Sequence, residues 1–208
     1  MLQLTIIRHG QADHEAERLS GGWTDSHLTA LGQRQAGATG PAIVRLLRGR
    51  SPRLISSDLA RARETATIIS KSLRVSPDFT PALRELCNGQ AADLTQEQAR
   101  QIALPVTHPT VDWVPYPGAE NWRAMTERVF GYLTSIEQET ETAVVVTHGN
   151  SGIAAIHWWL QLGERAWSSV SFQLDHCSIT HLTVNEWGER TVVRLNDVAH
   201  LSALQEGR

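Results

Sequence analysis

Apolar positions along the chain follow two periods. Leu4-Thr5-Ile6-Ile7 and Ala143-Val144-Val145-Val146-Thr147 are apolar or β-branched throughout, the composition of strands buried on both faces. Arg53-Leu54-Ile55-Ser56 predicts a shorter strand and Val75 to Phe79 a weak one. Between them the spacing turns helical. Thr29 caps a predicted helix that runs to about Leu47, with Leu31, Ile43, Val44 and Leu47 among its apolar positions. Ser57 or Asp58 caps a second over 59–72, with Ala62, Ala66 and Ile69 on one face. Residues 120–139 predict an amphipathic helix and 151–162 another. Residues 11–28 read as a long polar loop. Residues 82–120 carry Gly and Pro in several places and read as loop with one short helix near 95–103. The β-rich runs 176–184 and 190–195 flank a turn at Gly188, the pattern of a hairpin. Strands alternating with helices predict an α/β fold: a three-layer sandwich with a mainly parallel central sheet and an antiparallel edge. A single domain over 1–208 is expected, with excursions near 11–28 and 86–118 over the sheet's carboxyl edge.

Composition narrows the class. With 208 residues and 41% hydrophobic content the chain can bury a sizeable core. A net charge of −3 suggests neither a nucleic-acid partner nor an anionic membrane surface. Cys87 and Cys177 are the only cysteines and have no CxxC spacing, which excludes a disulfide framework and a cysteine-based zinc site. No apolar run reaches the roughly 18 residues of a membrane span, and no basic-then-apolar leader precedes the first strand, so a cytoplasmic setting is expected.

Two buried-type strands end alike, in Ile6-Ile7-Arg8-His9-Gly10 and Val145-Val146-Thr147-His148-Gly149. Open α/β sheets bind ligands outside the carboxyl ends of their strands. Arg8-His9-Gly10 at such an end suggests an anion site with a nucleophile beside it. Alone, the tripeptide is as well explained by a solvated Arg and His; the rest of the chain changes that. If both strands lie parallel near the sheet centre, His9 and His148 sit side by side. Ser57-Asp58-Leu59-Ala60-Arg61 feeds a short strand into a helix whose first turn carries Arg61 toward the same crevice. Glu85 follows the weak strand. Two arginines, two histidines and a carboxylate suit phosphoryl transfer. Arg forks hold equatorial phosphoryl oxygens, a neutral imidazole attacks phosphorus, a protonated carboxyl supplies the leaving alkoxide's proton, and a protonated second histidine adds positive charge.

With these motifs in order, the chain resembles the histidine phosphatase superfamily, the phosphoglycerate-mutase-like proteins, over most of its length. Arg8-His9-Gly10 matches the family's signature, and the resemblance makes His9 the phosphorylated nucleophile. Gly21-Gly22-Trp23-Thr24-Asp25 and Leu28-Thr29-x-x-Gly32-x-x-Gln35-Ala36 match its next block. Ser57-Asp58-Leu59-x-Arg61-Ala62-x-x-Thr65-Ala66 matches the second phosphate-binding arginine motif, which selects Arg61 over Arg63. Glu85 falls at the proton donor, and Val145-Val146-Thr147-His148-Gly149 at the second histidine motif, with Gly149 expected at the phosphate. Leu195-Asn196-Asp197-Val198-Ala199-His200-Leu201 resembles the tail of the phosphatase branch. The resemblance implies a metal-independent phosphomonoesterase with no cofactor, acting on a small phosphate ester, in a monomer or a homodimer. The chain departs from the pattern too. Gln11, Ala12 and Glu15 stand where the family carries Glu, Thr and, five positions past the Gly, Asn. Gly89-Gln90-Ala91-Ala92-Asp93 replaces Gly-x-Trp-Glu-Gly. Gln11, Glu15, Gly21 and Gly22 are candidate substrate contacts, with Glu15 expected either to point away or to meet a cationic part of a substrate.

Plainer readings cover the rest. Arg63 reads as a surface or ion-pair residue, Glu64 as a helix-face charge, and His14, His27, His108, His157 and His181 as solvated or packed. His176 precedes a strand and is expected to be structural, with a place near the pocket as the alternative; His200 reads as surface or capping. The tryptophans are core or lid candidates, with Trp113 the candidate pocket wall. Rival functions remain. A mutase of this family carries a longer insertion before the second histidine motif, and here only Arg100 and Arg123 in that segment read as helpers for extra charge. Gly149-Asn150-Ser151-Gly152-Ile153 nearly matches the G-x-S-x-G of serine hydrolases, but Ile153 takes the final Gly position. Neither cysteine has an Arg six positions on, as a cysteine phosphatase needs. A phosphate-binding module without catalysis is the rival from a different class; it has no need for nucleophile and acid together.

Overall fold

β1 (Gln3–Arg8) and β4 (Thr142–Thr147) form the centre of the computed structural model, which describes residues 1–205. They pair in parallel and in register, from Gln3 opposite Thr142 to Arg8 opposite Thr147. β2 (Arg53–Ser57) and β3 (Pro77–Thr80) extend the parallel part beyond β4. β5 (Ile179–Val184) and β6 (Arg190–Asp197) add an antiparallel hairpin beyond β1, giving the order β3-β2-β4-β1-β5-β6.

The period of two along a strand sends alternate residues to opposite layers. Leu4, Ile6, Ile55 and Val145 face one side and pack on Met125, Val129, Leu133, Ile153 and Trp159. Ile7, Leu54, Val144 and Val146 face the other and meet Ile43, Leu47, Ala62, Ala66 and Ile69. Those layers are helices, so both faces of the sheet are covered. α1 (Asp13–Ala16) is a single turn inside the first excursion. α2 (Ala30–Leu47) and α3 (Ala60–Leu73) cover one face; α5 (Trp122–Ile136) and α6 (Gly149–Trp159) cover the other. α4 (Gln96–Gln101) lies in the second excursion and α7 (Glu164–Trp167) follows α6. Among the described residues no helix is long and apolar enough to cross a membrane.

The expected elements all form, with local corrections. Thr29 caps α2 as predicted, accepting from Gly32 N at 3.1 Å. Neither Ser57 nor Asp58 caps α3; the N-cap position is Leu59. Asp58 is drawn off by Arg84, at 2.6 and 2.7 Å, and Asp25 from the first excursion accepts from Ala60 N at 3.1 Å instead. A carboxylate distant in sequence thus serves the helix start. The weak strand is shifted to Pro77–Thr80, and α6 begins at Gly149 itself. The first excursion is not all loop: besides α1, its Ala12 bridges Leu28, and its Leu19 bridges Thr95 of the second excursion.

The strand end of β1 lies so close to the start of α2 that side chains are excluded between them. A Cβ on Gly32 would meet Gln11 O at 2.1 Å, backbone that cannot swing aside. On the same helix Gly37 is exposed, with nothing within 4 Å of an added Cβ. Gly32→Ala is expected to lower the urea unfolding free energy by about 2 kcal/mol. Gly37→Ala should raise it by roughly 0.5–1 kcal/mol through helix propensity. Equal effects at the two sites would mean the contact carries no energy.

Candidate active site

The in-register pairing decides the first fact about the site. Because Arg8 opposes Thr147, the next residues are also neighbours: His9 N donates to Thr147 O at 2.9 Å, and the rings of His9 and His148 are 5.0 Å apart. Both rings are buried, His9 3% exposed and His148 0%. His9 Nδ1 lies 2.7 Å from Gly10 O. A carbonyl only accepts, so Nδ1 carries the ring proton and Nε2 the lone pair. Arg61 Nε donates to that lone pair at 3.2 Å. Burial, then the Arg61 guanidinium, hold His9 well below the usual histidine range, so the ring is neutral and nucleophilic.

Arg61 is 1% exposed, on the first turn of α3. Its Nη1 donates to Thr24 O at 2.6 Å and its Nη2 to Gly22 O at 2.7 Å. Gly22 has φ +79, a conformation that turns the loop and suits glycine. Gly21 packs on the His14 ring, 2.8 Å from where a Cβ would stand. These two candidate contacts hold Arg61 and His14. Gln11 is likewise tied back: its N–H donates to Gln35 and its Oε1 accepts from Thr29, both at 2.9 Å.

Arg8 Nη1 donates to Leu174 O at 2.9 Å, and its Nη2 lies 2.5 Å from Glu15 Oε1. His176 Nε2 lies 2.7 Å from the same carboxylate oxygen. Glu15 therefore turns inward onto the signature arginine, correcting the expectation that it points away. Burial alone would raise its carboxyl; the hydrogen bond from His176, with the Arg8 charge beside it, holds it well below the carboxylate range. His176 belongs to the site too, its ring 5.8 Å from that of His9, as does the buried His14 at 6.5 Å. The signal for His176 was its place just before β5: Cys177 N donates to Arg8 O at 2.9 Å, so the chain re-enters the sheet at the site. Its role was missed because contact with Glu15 depends on how the first excursion folds.

His148 Nε2 lies 2.8 Å from Ser57 Oγ, while its Nδ1 is buried without a partner, as is Arg8 Nε. Burial, then the Arg61 charge, keep His148 well below its usual range, so it too is neutral here, without the positive charge it would add if protonated. Glu85 sits at the start of α6. Its Oε1 accepts from Leu86 N at 2.8 Å and its Oε2 from Asn150 N at 3.2 Å, with Gly149 alongside.

His9, Glu15 and His176 place ligand atoms within 4.8 Å of one another. Those atoms already engage Arg61 and Arg8, so a metal ion would have to compete with two guanidinium groups there. The remaining candidates lie apart. Arg63 sits over the Phe79 ring at 5.3 Å, and Glu64 anchors the first excursion through His27 and Leu28 N at 2.5 and 2.9 Å. His157 and His181 are packed, on Val170 O and Thr5 Oγ1; His200 reaches Thr39 Oγ1; His108 is exposed. Ser151 is buried inside α6, its Oγ 2.7 Å from Thr147 Oγ1, and forms no exposed nucleophile elbow. Burial pushes the Cys177 thiol up to about 12, far from thiolate chemistry at neutral pH.

Fold and site together define an α/β protein that gathers a neutral imidazole and a guanidinium from a strand end and a second guanidinium from the first turn of a helix. Residues 4–198 match the histidine phosphatase superfamily (branch 1), and the chain belongs to that superfamily. A relative from Salmonella paratyphi C, named "Probable phosphoglycerate mutase GpmB", is 32% identical over 217 residues, covering 98% of this chain and 96% of its own. Among solved structures, Bacillus stearothermophilus YhfR superposes with a TM-score of 0.79 at 25% identity, covering 96% of this chain and 99% of that one. The alpha-ribazole phosphatase of Shigella flexneri superposes with a TM-score of 0.76 at 22% identity, covering 94% and 96%; that likeness is one of fold.

The neutral histidines make stability depend on pH. His14 titrates at 6.5 in the unfolded chain and at about 4 in the fold, lowered by burial first and Arg61 second. The unfolded chain therefore takes up the proton first as pH falls, and stability declines between pH 6.5 and about 4. His9 and His148 act in the same direction. Thermal melts across this window should show a falling Tm, and His14→Gln should make the fall shallower. A variant curve parallel to that of the parent would remove His14 from the account.

Proposed function

We propose that the protein is a phosphomonoesterase that forms a phosphohistidine at His9 and acts on a small phosphorylated metabolite without a metal ion. The observation that carries this reading is the His9 tautomer: Nδ1–H is committed to Gly10 O, which leaves the lone pair on Nε2, directed at the Arg61 guanidinium. In the first step Nε2 attacks phosphorus and the bond to the leaving oxygen breaks. Arg61 and Arg8 donate to the phosphoryl oxygens as negative charge spreads over them. His148, beside the His9 ring, offers Nδ1 to the same group. Glu85 gives its proton to the leaving alkoxide. In the second step the Glu85 carboxylate takes a proton from water, whose oxygen attacks phosphorus and frees His9.

Hydrolysis is favoured over mutase chemistry by the segment between the acid and the second histidine. A mutase must hold a second phosphate. The three arginines of residues 86–147 all face carboxylates: Arg100 on Glu97, Arg123 on Asp112 and Glu164, Arg128 on Glu120. The phosphotransferase reading draws on the names of the sequence relatives. A binding module without catalysis would leave unexplained why Nε2 is kept unprotonated.

Acid quench with a labelled phosphate ester is expected to trap a phosphoprotein that is acid-labile and base-stable. His9→Ala should abolish both trapping and turnover while keeping the parent's circular dichroism, and turnover should persist in EDTA. Full activity in folded His9→Ala, or activity lost in EDTA and restored by a divalent ion, would contradict the mechanism.

Glu85→Gln separates an acid from an anchor. An aryl phosphate leaves as a stable phenolate and needs little protonation, whereas an alkyl phosphate leaves as a strongly basic alkoxide. The variant should lose kcat/KM on alkyl phosphates by roughly a hundredfold or more and on p-nitrophenyl phosphate far less. If Glu85 only positions its neighbours, both substrates should slow by the same factor.

A further inference from the structure

The two backbone N–H groups that hold the Glu85 carboxylate belong to Leu86 and Asn150. Both residues also line a cavity of about 470 Å³, within the roughly 300–1,000 Å³ typical of small-molecule sites. The leaving group departs on the side of its proton donor, and these two residues set the cavity next to Glu85. Its walls include three indoles, Trp113, Trp122 and Trp167, with Ile153 and Val170, and also uncharged polar groups from three serines, Thr110 and Asn150. Among the described residues that line it there is no Asp, Glu, Lys, Arg or His.

The absence of charge has a structural cause. Asp112 precedes Trp113, Arg123 follows Trp122, and Glu164 opens the short helix that ends in Trp167. These three ions pair with one another, Arg123 lying 2.5 Å from Asp112 and 2.6 Å from Glu164. None of the three ions lines the cavity, and Arg123 ties the three segments that carry the indoles together. Trp167 and Trp113 spend their N–H groups on backbone carbonyls, of Leu162 at 3.1 Å and Leu104 at 3.3 Å. Trp122 Nε1 is buried without a partner. A carboxylate or second phosphate would lie there with no cation to meet it, whereas an apolar or aromatic group would gain by leaving water.

We infer that this cavity binds the alcohol half of the substrate, and that the substrate is a phosphate monoester of an uncharged, apolar or aromatic alcohol, not a phosphorylated acid. The inference rests on the phosphomonoesterase reading above and narrows it.

Two measurements on the full chain test it. In a series of n-alkyl phosphates from ethyl to octyl, kcat/KM should rise about three- to fourfold per methylene until the cavity fills, the ratio expected from burial of one CH₂. 1-Naphthyl phosphate should be preferred to 3-phosphoglycerate by at least a hundredfold. Independently of turnover, 1-naphthol should quench the tryptophan fluorescence saturably. Trp167→Ala, checked for folding by its melt, should weaken that binding and flatten the alkyl series; should the variant not fold, the parent protein's series and titration still decide. Hydrolysis with a flat series, or with 3-phosphoglycerate preferred, overturns the inference and leaves the phosphatase reading standing. Saturable quenching without hydrolysis of any ester overturns the phosphatase reading and keeps the cavity. Neither hydrolysis nor quenching overturns both.

Discussion

A guanidinium that is 1% exposed sets the terms for everything around it. Leaving water strips Arg61 of its solvation, and a buried cation must find hydrogen-bond acceptors or the fold loses several kcal/mol. Arg61 finds three, and none is a carboxylate: His9 Nε2, Thr24 O and Gly22 O. The chain meets that demand at each point. The first excursion bends at Gly22 so that its carbonyls face inward, and His9 must stay neutral to accept from Nε. The positive charge of Arg61 is therefore solvated by dipoles only and left without a contact anion, which is the electrostatic condition for holding an oxyanion.

The two arginines of the site differ in this respect. Arg8 contacts Glu15 directly, while Glu85 and Glu15 act on Arg61 only from a distance. Glu15 therefore tempers one half of the clamp. It also fixes that half: Arg8 is gripped between a carboxylate and the Leu174 carbonyl, so its fork needs little ordering when an anion arrives. His176 completes the grip from the other side of the sheet order, through the chain that enters β5.

What could be read from the sequence is what local patterns dictate. The alternation of Ile6 and Ile7, or of Val145 and Val146, fixed which strands are buried on two faces, and the shared His-Gly endings placed His9 beside His148 once the strands were parallel. Thr29 was legible as a cap because its partner, Gly32 N, is three residues away. The cap of α3 was not, because Asp25 reaches Ala60 from another segment and Arg84 removes the local candidate Asp58. The contacts that Glu15, His14 and His176 make were illegible for the same reason. Their neighbours are supplied by the folding of an excursion, and no periodicity encodes which side chains two polar loops bring together.

That division of labour bears on function. Arg8, His9, Arg61 and His148 come from strand ends and first helical turns, rigid positions held by ladder hydrogen bonds and two packed layers. The cavity beside Glu85 is lined largely by the segment after Glu85 and the turn after α6, tied by side-chain ion pairs that sequence change can rebuild without disturbing the sheet. A scaffold partitioned in this way can keep one phosphoryl chemistry while the alcohol changes. Sequence relatives named for a mutase and fold neighbours named for phosphatases are compatible with it. In this chain the described residues that line that cavity carry no charge, which sets it apart from the strand-end site, where two guanidiniums and a carboxylate stand against the histidines.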